Sequence, residues 1–329
     1  MDIGKVYNSR ENVYTRSVSF FNLVLYIASF FIIWLGAGLI VSSVDRFSKK
    51  LRLSSFAFSF FVLGILTSIP EFAVGMIALA ENQPEIFVGN LIGGIPVIFF
   101  LIIPILAIFG KGVKLRNQLN TNNLLFSFVV IVTPALLVMD RRVTNLEGII
   151  MIGLYITLFF FIQREKGIFD TQNSNILRGK AYSYIDIVKI LLGIGLVFIA
   201  SQIIVDQTLY FAKTFHMSPF FISLAVLSLG TNLPELSLAV RSIISRKKDI
   251  AFGDYIGSAA ANTFLFGLFT LMNTGEVVTV NNFFKTFLVM TGGLLLFYYF
   301  TRSKDDISRK EGFFLLLVYL AFIFIDQII

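Results

Sequence analysis

The sequence predicts an all-α membrane protein of ten transmembrane helices, arranged as two inverted five-helix repeats. Three observations predict this fold class: an apolar composition, ten long apolar stretches, and two similar segments 164 residues apart (Pro70 and Pro234). Of the 329 residues, 56% are hydrophobic and only 14% are charged. A soluble domain has about 25% charged residues, so the bilayer is the expected environment.

The ten apolar stretches are long enough to cross a hydrocarbon layer about 30 Å thick, which needs about 20 apolar residues in a helix. The connections between them are short, so the chain leaves almost no room for a soluble domain. The first five predicted spans form one half of the chain (20–163) and the last five form the other (184–329). In order, the predicted spans are 20–43, 54–80, 86–109, 121–139, 147–163, 184–205, 218–244, 250–272, 283–300 and 312–328.

The distribution of positive charge predicts the orientation. With ten spans, both termini lie on one side of the membrane. The odd-numbered loops contain 18 Lys and Arg residues, whereas the terminal tails and even-numbered loops contain six. Because cytoplasmic loops are enriched in Lys and Arg, we expect a cytoplasmic linker at 164–183 and a short extracellular tail at 1–19. The net charge of +7 is then a topology signal, and it does not indicate binding to nucleic acid.

Several classes of protein are excluded by what the sequence lacks. It has no cysteine, so it forms neither a disulfide framework nor a thiolate metal site. It contains no phosphate-binding glycine loop, nucleophile elbow or zinc-ligand spacing, so we do not expect an enzyme. No signal peptide with a cleavage site precedes the first span, and we expect an integral protein of the plasma membrane.

The two similar segments are LTSIPEFAVGMIALAENQPEIFVGNLIGG (66–94) and GTNLPELSLAVRSIISRKKDIAFGDYIGS (230–258). They align without a gap. Since each half has five spans, an odd number, the second half must enter the membrane from the opposite side. Inverted repeats of this kind are common in secondary transporters, which bind their substrates near the midplane where the repeats meet. The identical aligned residues include Thr67 with Thr231, Pro70 with Pro234, Glu71 with Glu235, Gly89 with Gly253 and Gly93 with Gly257.

Each repeat places a carboxylate directly after a proline within an apolar span. Proline has no N–H and clashes with the preceding turn, so the helix is expected to break there. Broken backbone at this depth is tolerated where it lines a cavity or is buried in protein. An ionisable residue inside the membrane indicates a functional site. We therefore expect Glu71 and Glu235 to form the two halves of one cation site.

The chemistry of this pair suits a divalent cation. Ca²⁺ binds six to eight oxygens from carboxylates, carbonyls and water. Glu71 and Glu235 can supply up to four, and the carbonyls of Thr67 and Thr231 can supply two more. Without a cation, two neighbouring carboxylates repel each other and tend to hold a proton, so the site needs an ion to neutralise it.

The paired Thr-Ser/Asn-x-Pro-Glu segments, each followed by Gly-Asn/Asp-x-x-Gly, resemble the alpha repeats of the sodium/calcium exchanger family, prokaryotic type, within the calcium/cation antiporter superfamily. The alpha repeats would cover about 65–98 and 229–262. The resemblance implies exchange of Na⁺ for Ca²⁺ by alternating access, without ATP or a covalently bound cofactor, with spans one and six sliding or rocking. It implies that Glu71 and Glu235 are the central Ca²⁺ ligands and that Thr67 and Thr231 donate backbone carbonyls. It also implies that Ser68 and Asn232 lie beside Na⁺ positions and that Ser258 and Asn262 are further polar ligands.

The first repeat departs from the family pattern where polar ligands are usual. It has Gly94 and Ile98 at positions where the family has polar side chains, and Leu66 where the family has glycine. In the second repeat, Asn232 replaces the usual serine. Two alternatives therefore stay open: an exchanger of the same superfamily coupled to H⁺ or to another cation, and a membrane cation sensor that does not transport. Dependence of uptake on a Na⁺ or a pH gradient distinguishes the couplings, and a sensor would bind ions without flux.

Other polar residues of the repeats allow two interpretations. Asn90 and Asp254 follow the repeat glycines and could cap helices, bond between helices or line the ion path. Ser258 and Asn262 share one helical face, so they could bind an ion or a neighbouring helix. The expected partners are inorganic cations (Ca²⁺, Na⁺ and, in the alternative, H⁺) and the lipid bilayer. The sequence does not predict an oligomeric state.

Overall fold

A computed structural model gives the fold of most of the chain. The structure describes residues 3–48, 60, 64–114, 121–166, 184–245, 248–273, 276–278, 283–303 and 306–324.

Within the described residues, the first half contains seven α-helices and two short strands. Its second span is interrupted by a turn at Ser68, and its third by a π-helical stretch at Val97–Ile102. The elements are α1 (Ile3–Ser48), α2 (Gly64–Thr67), α3 (Ile69–Ala80), α4 (Pro84–Pro96), α5 (Ile103–Phe109), β1 (Val113–Lys114), α6 (Thr121–Leu137), a 3₁₀ turn (Val138–Asp140), β2 (Arg142–Val143) and α7 (Asn145–Lys166).

The second half has the same break in its second span, here at a turn at Asn232, whereas its third span is one continuous helix (Lys248–Met272). The elements are α8 (Tyr184–Thr214), α9 (Pro219–Ile222), a π-helical stretch (Ser223–Leu227), α10 (Ser228–Thr231), α11 (Leu233–Ser245), α12 (Lys248–Met272), β3 (Val277–Val278), α13 (Phe284–Ser303), β4 (Asp306–Ile307) and α14 (Arg309–Phe324).

Within the described residues, eight helical stretches are long and apolar enough to cross a membrane. The other two predicted spans lie partly outside those residues: 54–80 is described at 60 and from 64 onward, and 312–328 as far as 324. The first helix begins at Ile3, so most of the segment predicted as a tail continues α1. The eight stretches are Phe20–Ile40, Pro84–Phe109, Asn123–Asp140, Asn145–Arg164, Tyr184–Thr214, Pro219–Val240, Gly253–Met272 and Phe284–Arg302.

The spans divide into a buried centre and an apolar exterior. Pro84–Phe109 and Gly253–Met272 are the most buried of the long spans. The outer helices expose large apolar side chains, including Ile27 of α1, Phe160 of α7 and Leu191 of α8. Exposed apolar surface of this extent is costly in water, so a lipid environment accounts for it.

Each half packs its third span against the second span of the other half. A Cβ on Gly257 of α12 would collide with the carbonyl of Phe60, and a Cβ on Gly93 of α4 would collide with the carbonyl of Leu224. The two contacts are equivalent under the 164-residue repeat. Glycine lets the backbones approach this closely, which explains why both repeats carry Gly-x-x-x-Gly.

Two short antiparallel ladders join the connections. Val113 of β1 pairs with Ile307 of β4, and Val143 of β2 pairs with Val277 of β3. These pairings are also equivalent under the 164-residue repeat, since it relates β1 to β3 and β2 to β4. These ladders could not be predicted from the sequence, because two-residue strands are too short to show an alternating pattern.

Candidate functional site

The two helix breaks lie where proline removes a backbone donor. In the first half, α2 ends at Thr67 and α3 begins at Ile69, with Pro70 in its first turn. In the second half, α10 ends at Thr231 and α11 begins at Leu233. Each glutamate therefore lies in the first turn of a helix, where the unpaired N–H groups carry partial positive charge. Each break therefore places a glutamate carboxylate at the N-terminal end of a helix, where the partial positive charge favours the ionised form.

Both glutamates are buried, and each has one oxygen held by a polar side chain. Glu71 is 1% exposed and Glu235 is 0% exposed. The Ser258 hydroxyl donates to Oε1 of Glu235 over 2.8 Å. The Asn232 amide donates to Oε1 of Glu71 over 3.4 Å. The second oxygen of each carboxylate, Oε2, has no hydrogen-bond partner.

The threonines before the breaks contact the third span of the opposite half. The Thr67 hydroxyl donates to Oδ1 of Asp254 over 3.2 Å, and the Thr231 hydroxyl donates to Oδ1 of Asn90 over 3.0 Å. The two contacts are equivalent under the repeat, and all four side chains are buried. Asp254 and Asn90 therefore belong to the same polar cluster as the glutamates.

The residues after the threonines form a second equivalent pair, but with different side chains. Ser68 and Ser258 place their hydroxyl oxygens 3.3 Å apart. The equivalent of Ser258 is Gly94, and a Cβ there would lie 3.2 Å from Nδ2 of Asn232 and 3.0 Å from Nδ2 of Asn262. The amide of Asn232 therefore fills the space that the missing side chain at position 94 leaves.

The cluster has more unpaired oxygen acceptors than unpaired donors. Besides the two glutamate oxygens, Oδ1 of Asn232, Oδ1 of Asn262 and Oδ2 of Asp254 are buried without a partner, whereas the unpaired donors are Nδ2 of Asn90 and Nδ2 of Asn262. Leaving a buried polar atom unpaired costs about 1–3 kcal/mol, and more for a charged group. Carboxylate and amide oxygens are the donors that hard cations such as Ca²⁺ bind. The arrangement can therefore hold a cation.

The described residues contain no group of three or more His, Cys, Asp or Glu side chains placed to hold one metal ion. Asp254 is accordingly no third carboxylate on an ion held by the glutamate pair. A cation between Glu71 and Glu235 would need its remaining oxygens from amides, hydroxyls, carbonyls or water.

The structure places all eight predicted site residues in this one buried region. Ser68, Ser258, Asn232 and Asn262 place side-chain atoms in this region, and their role as ion ligands stays a prediction. The hydrogen bonds formed by Thr67 and Thr231 come from their hydroxyls, and a role for their carbonyls stays a prediction.

Asp254 and Asn90 were not among the predicted ligands. The sequence did carry a signal for them: both follow a repeat glycine and are polar at the same repeat position.

Comparison with known proteins identifies the family to which the chain is related. The sequence profile of the sodium/calcium exchanger protein family matches residues 21–163 and 185–326, once in each half. The chain is 24% identical over 327 residues to the sodium/calcium exchanger MaX1 of Methanosarcina acetivorans, covering 88% of this chain and 93% of that protein. It is 25% identical over 258 residues to the inner membrane protein YrbG of Escherichia coli, covering 74% and 79%.

Solved structures of the sodium-calcium exchanger NCX_Mj share the fold. The one soaked with 10 mM Na⁺ and zero Ca²⁺ superposes with a TM-score of 0.67 at 20% identity, covering 94% of this chain and 99% of that chain.

Proposed function

Because the chain belongs to the sodium/calcium exchanger family, we propose that it is a secondary-active antiporter that exchanges Na⁺ for Ca²⁺ at the Glu71–Glu235 site. Two of the matched proteins, MaX1 and NCX_Mj, are named as sodium/calcium exchangers, which are transporters and not enzymes. Beyond membership of the family, we propose which ions this chain transports and which residues bind them.

One observation carries the proposal: two buried glutamates at repeat-equivalent positions each have an unpartnered carboxylate oxygen. Uncompensated charges inside a protein are strongly destabilising. Two negative charges match one Ca²⁺, or more than one Na⁺, so the site is neutral only when metal cations or protons occupy it. An exchanger requires this property, because the empty site should not change its orientation freely.

We propose the ten-span inverted topology as the frame for this site, and the ladders support it. If α6 crosses the membrane once, β1 and β2 lie on opposite sides. β3 pairs with β2 and therefore lies opposite β1. Since β1 and β3 are repeat-equivalent, the two halves have opposite orientations. The loop charges then place both termini outside, in a plasma membrane.

Alternating access would move α1 and α8 together. These helices pack closely: a Cβ on Gly36 would lie 2.9 Å from the carbonyl oxygen of Gly193, and one on Gly193 would lie 2.7 Å from that of Gly36. Phe30 of α1 also covers Gly230, next to the second helix break. A movement of this pair would therefore alter access to the site.

A second candidate is exchange coupled to H⁺. The observation that favours it is the apolar first repeat, where Gly94 and Ile98 offer no side-chain oxygen. With fewer donors for Na⁺, the glutamates could exchange Ca²⁺ for protons. The coupling ion is the difference that an experiment must measure.

The deciding experiment is ⁴⁵Ca²⁺ uptake into proteoliposomes. We expect uptake into vesicles loaded with Na⁺ and placed in Na⁺-free buffer, and none into vesicles with equal Na⁺ on both sides. Uptake driven only by a pH gradient would replace Na⁺ coupling by H⁺ coupling. Binding of ⁴⁵Ca²⁺ without uptake under either gradient would indicate a sensor and contradict exchange.

The topology has its own test, which the absence of native cysteine makes clean. Single cysteines at Lys114 and Arg142 should react with an impermeant maleimide from opposite sides of intact cells. We expect the Arg142→Cys variant to be labelled from outside and the Lys114→Cys variant only after permeabilisation. Labelling of both from the same side would contradict the inverted arrangement.

A further inference from the structure

We propose that Asp254, together with the Thr67 hydroxyl, forms a separate position for a monovalent cation, one helical turn from the Glu71–Glu235 site. This inference rests on the proposed exchange and identifies where one of the coupling Na⁺ ions would bind.

The position follows from the polar face of α12. Asp254, Ser258 and Asn262 are four residues apart, so they line one face at steps of about 6 Å. Ser258 bonds Glu235, which places Asp254 one turn farther along the helix. The glutamates and Asp254 do not converge on one ion, so a cation at Asp254 would be additional to the central one.

Asp254 has the features of an incomplete ion site. Its side chain is 0% exposed, Oδ1 accepts the Thr67 hydroxyl, and Oδ2 has no partner. Among the described buried side chains there is no Lys or Arg to balance its charge. A buried carboxylate needs compensation, and a bound cation would supply it. One carboxylate beside a hydroxyl provides one negative charge and only oxygen donors, which suits Na⁺ better than Ca²⁺.

The other half has no matching charge. Thr231 contacts the neutral amide of Asn90 through the equivalent hydrogen bond. The first repeat also has no side-chain oxygen at Gly94 or Ile98 to coordinate Na⁺. Asp254 of the second repeat would supply an oxygen ligand in their place. In the proposed topology α12 starts in the cytoplasm, so this cation position lies on the cytoplasmic side of the glutamates.

The test is binding of ²²Na⁺ to purified protein by scintillation proximity, without any transport step. Asp254→Asn gives both halves the same Thr–Asn pair, so the hydrogen bond to Thr67 is retained. We expect the number of bound Na⁺ to fall by one and half-saturating Na⁺ to rise about tenfold. ⁴⁵Ca²⁺ affinity should stay within about threefold, because the glutamate pair is intact. Asp206→Asn, which changes an exposed aspartate, is the matched control and should bind as wild type does.

Two further variants keep the inference falsifiable if Asp254→Asn folds poorly. Thr67→Val removes the hydroxyl at nearly constant volume and should also weaken Na⁺ binding. Asn90→Asp should add a Na⁺ in the opposite half. Unchanged Na⁺ number and affinity in folded Asp254→Asn would overturn the inference, even if Na⁺-driven Ca²⁺ uptake is found. Loss of one Na⁺ in that variant would support it, even if wild-type protein fails to exchange Ca²⁺.

Discussion

The two halves of the site have the same backbone packing and different chemistry. Each third span contacts the opposite second span through glycine, and each threonine bonds the residue after a repeat glycine. Yet Ser258 holds Glu235 through a hydroxyl, whereas Asn232 holds Glu71 through an amide from the other repeat position. The backbone contacts tolerate only glycine. The side chain that donates a hydrogen bond to each glutamate can differ between the halves, as long as each carboxylate has one donor.

The comparison also shows how the volumes of neighbouring residues compensate. Two small side chains, Ser68 and Ser258, meet in one half, whereas a large Asn232 meets Gly94 in the other. Because interiors are closely packed, a larger side chain on one side requires a smaller one opposite. The absence of a side chain at position 94 is thus linked to the larger side chain at Asn232.

The largest expected effect comes from what the two halves share. Either Glu71→Gln or Glu235→Gln should lower the rate of Ca²⁺ uptake about 100-fold or more, which corresponds to about 2.8 kcal/mol. Each change removes one of the two charges that would neutralise Ca²⁺. The measurement is ⁴⁵Ca²⁺ uptake into Na⁺-loaded proteoliposomes, with the exposed Glu276→Gln as the matched control. Wild-type rates in either glutamine variant would remove the glutamates from the site.

A smaller effect should come from making the halves alike. Gly94→Ser alone places a side chain against the amides of Asn232 and Asn262 and should lower Ca²⁺ uptake about tenfold. Combined with Asn232→Ser, it reproduces the Ser–Ser pair of the other half, so uptake should recover to within about threefold of wild type.

The readout is the double-mutant cycle on uptake rates. Additive losses in the double variant would show that the two positions do not compensate for each other.

The change with the smallest expected effect on transport acts on stability. Gly257→Ala puts a methyl group against the carbonyl of Phe60, and the resulting backbone shift should cost about 1–3 kcal/mol. The melting temperature of the detergent-solubilised protein should fall accordingly. Gly195→Ala, where no atom lies within 4 Å, is the control and should leave it unchanged or slightly higher. Equal melting temperatures in both variants would contradict the close approach of the helices.

The sequence predicted the membrane-spanning helices and the two helix breaks, each followed by a glutamate that the structure buries; the role of these glutamates as cation ligands stays a prediction. These features depend on local signals: length of apolar stretches, proline before Glu71, and the repeat itself. The structure adds that α1 starts at Ile3 and that π-helical stretches interrupt two spans. Neither feature has a local signature in the sequence. The polar residues at 3–19 are typical of a terminal tail, and an apolar stretch does not distinguish a π-helix from an α-helix.

The contacts between halves could not be predicted from local pattern. The bond from Thr67 to Asp254 joins residues 187 positions apart, and no periodicity specifies which turn of one helix faces another. The repeat supplies the missing constraint only after one such contact is known, since it then requires the equivalent contact from Thr231 to Asn90. The compensation between Gly94 and Asn232 is likewise visible only in three dimensions.

Because each half forms its strand pairs and glycine contacts with the other half, neither can complete its packing until both have been synthesised. β1 ends at Lys114, but its partner β4 begins at Asp306, and the chain between them takes roughly 10 to 40 s to synthesise at usual elongation rates. During that time the first half resides in the membrane with its glycine faces and Glu71 not yet covered by the second half. Biogenesis must therefore protect a half-finished bundle, and folding is completed only when nearly the whole chain has left the ribosome.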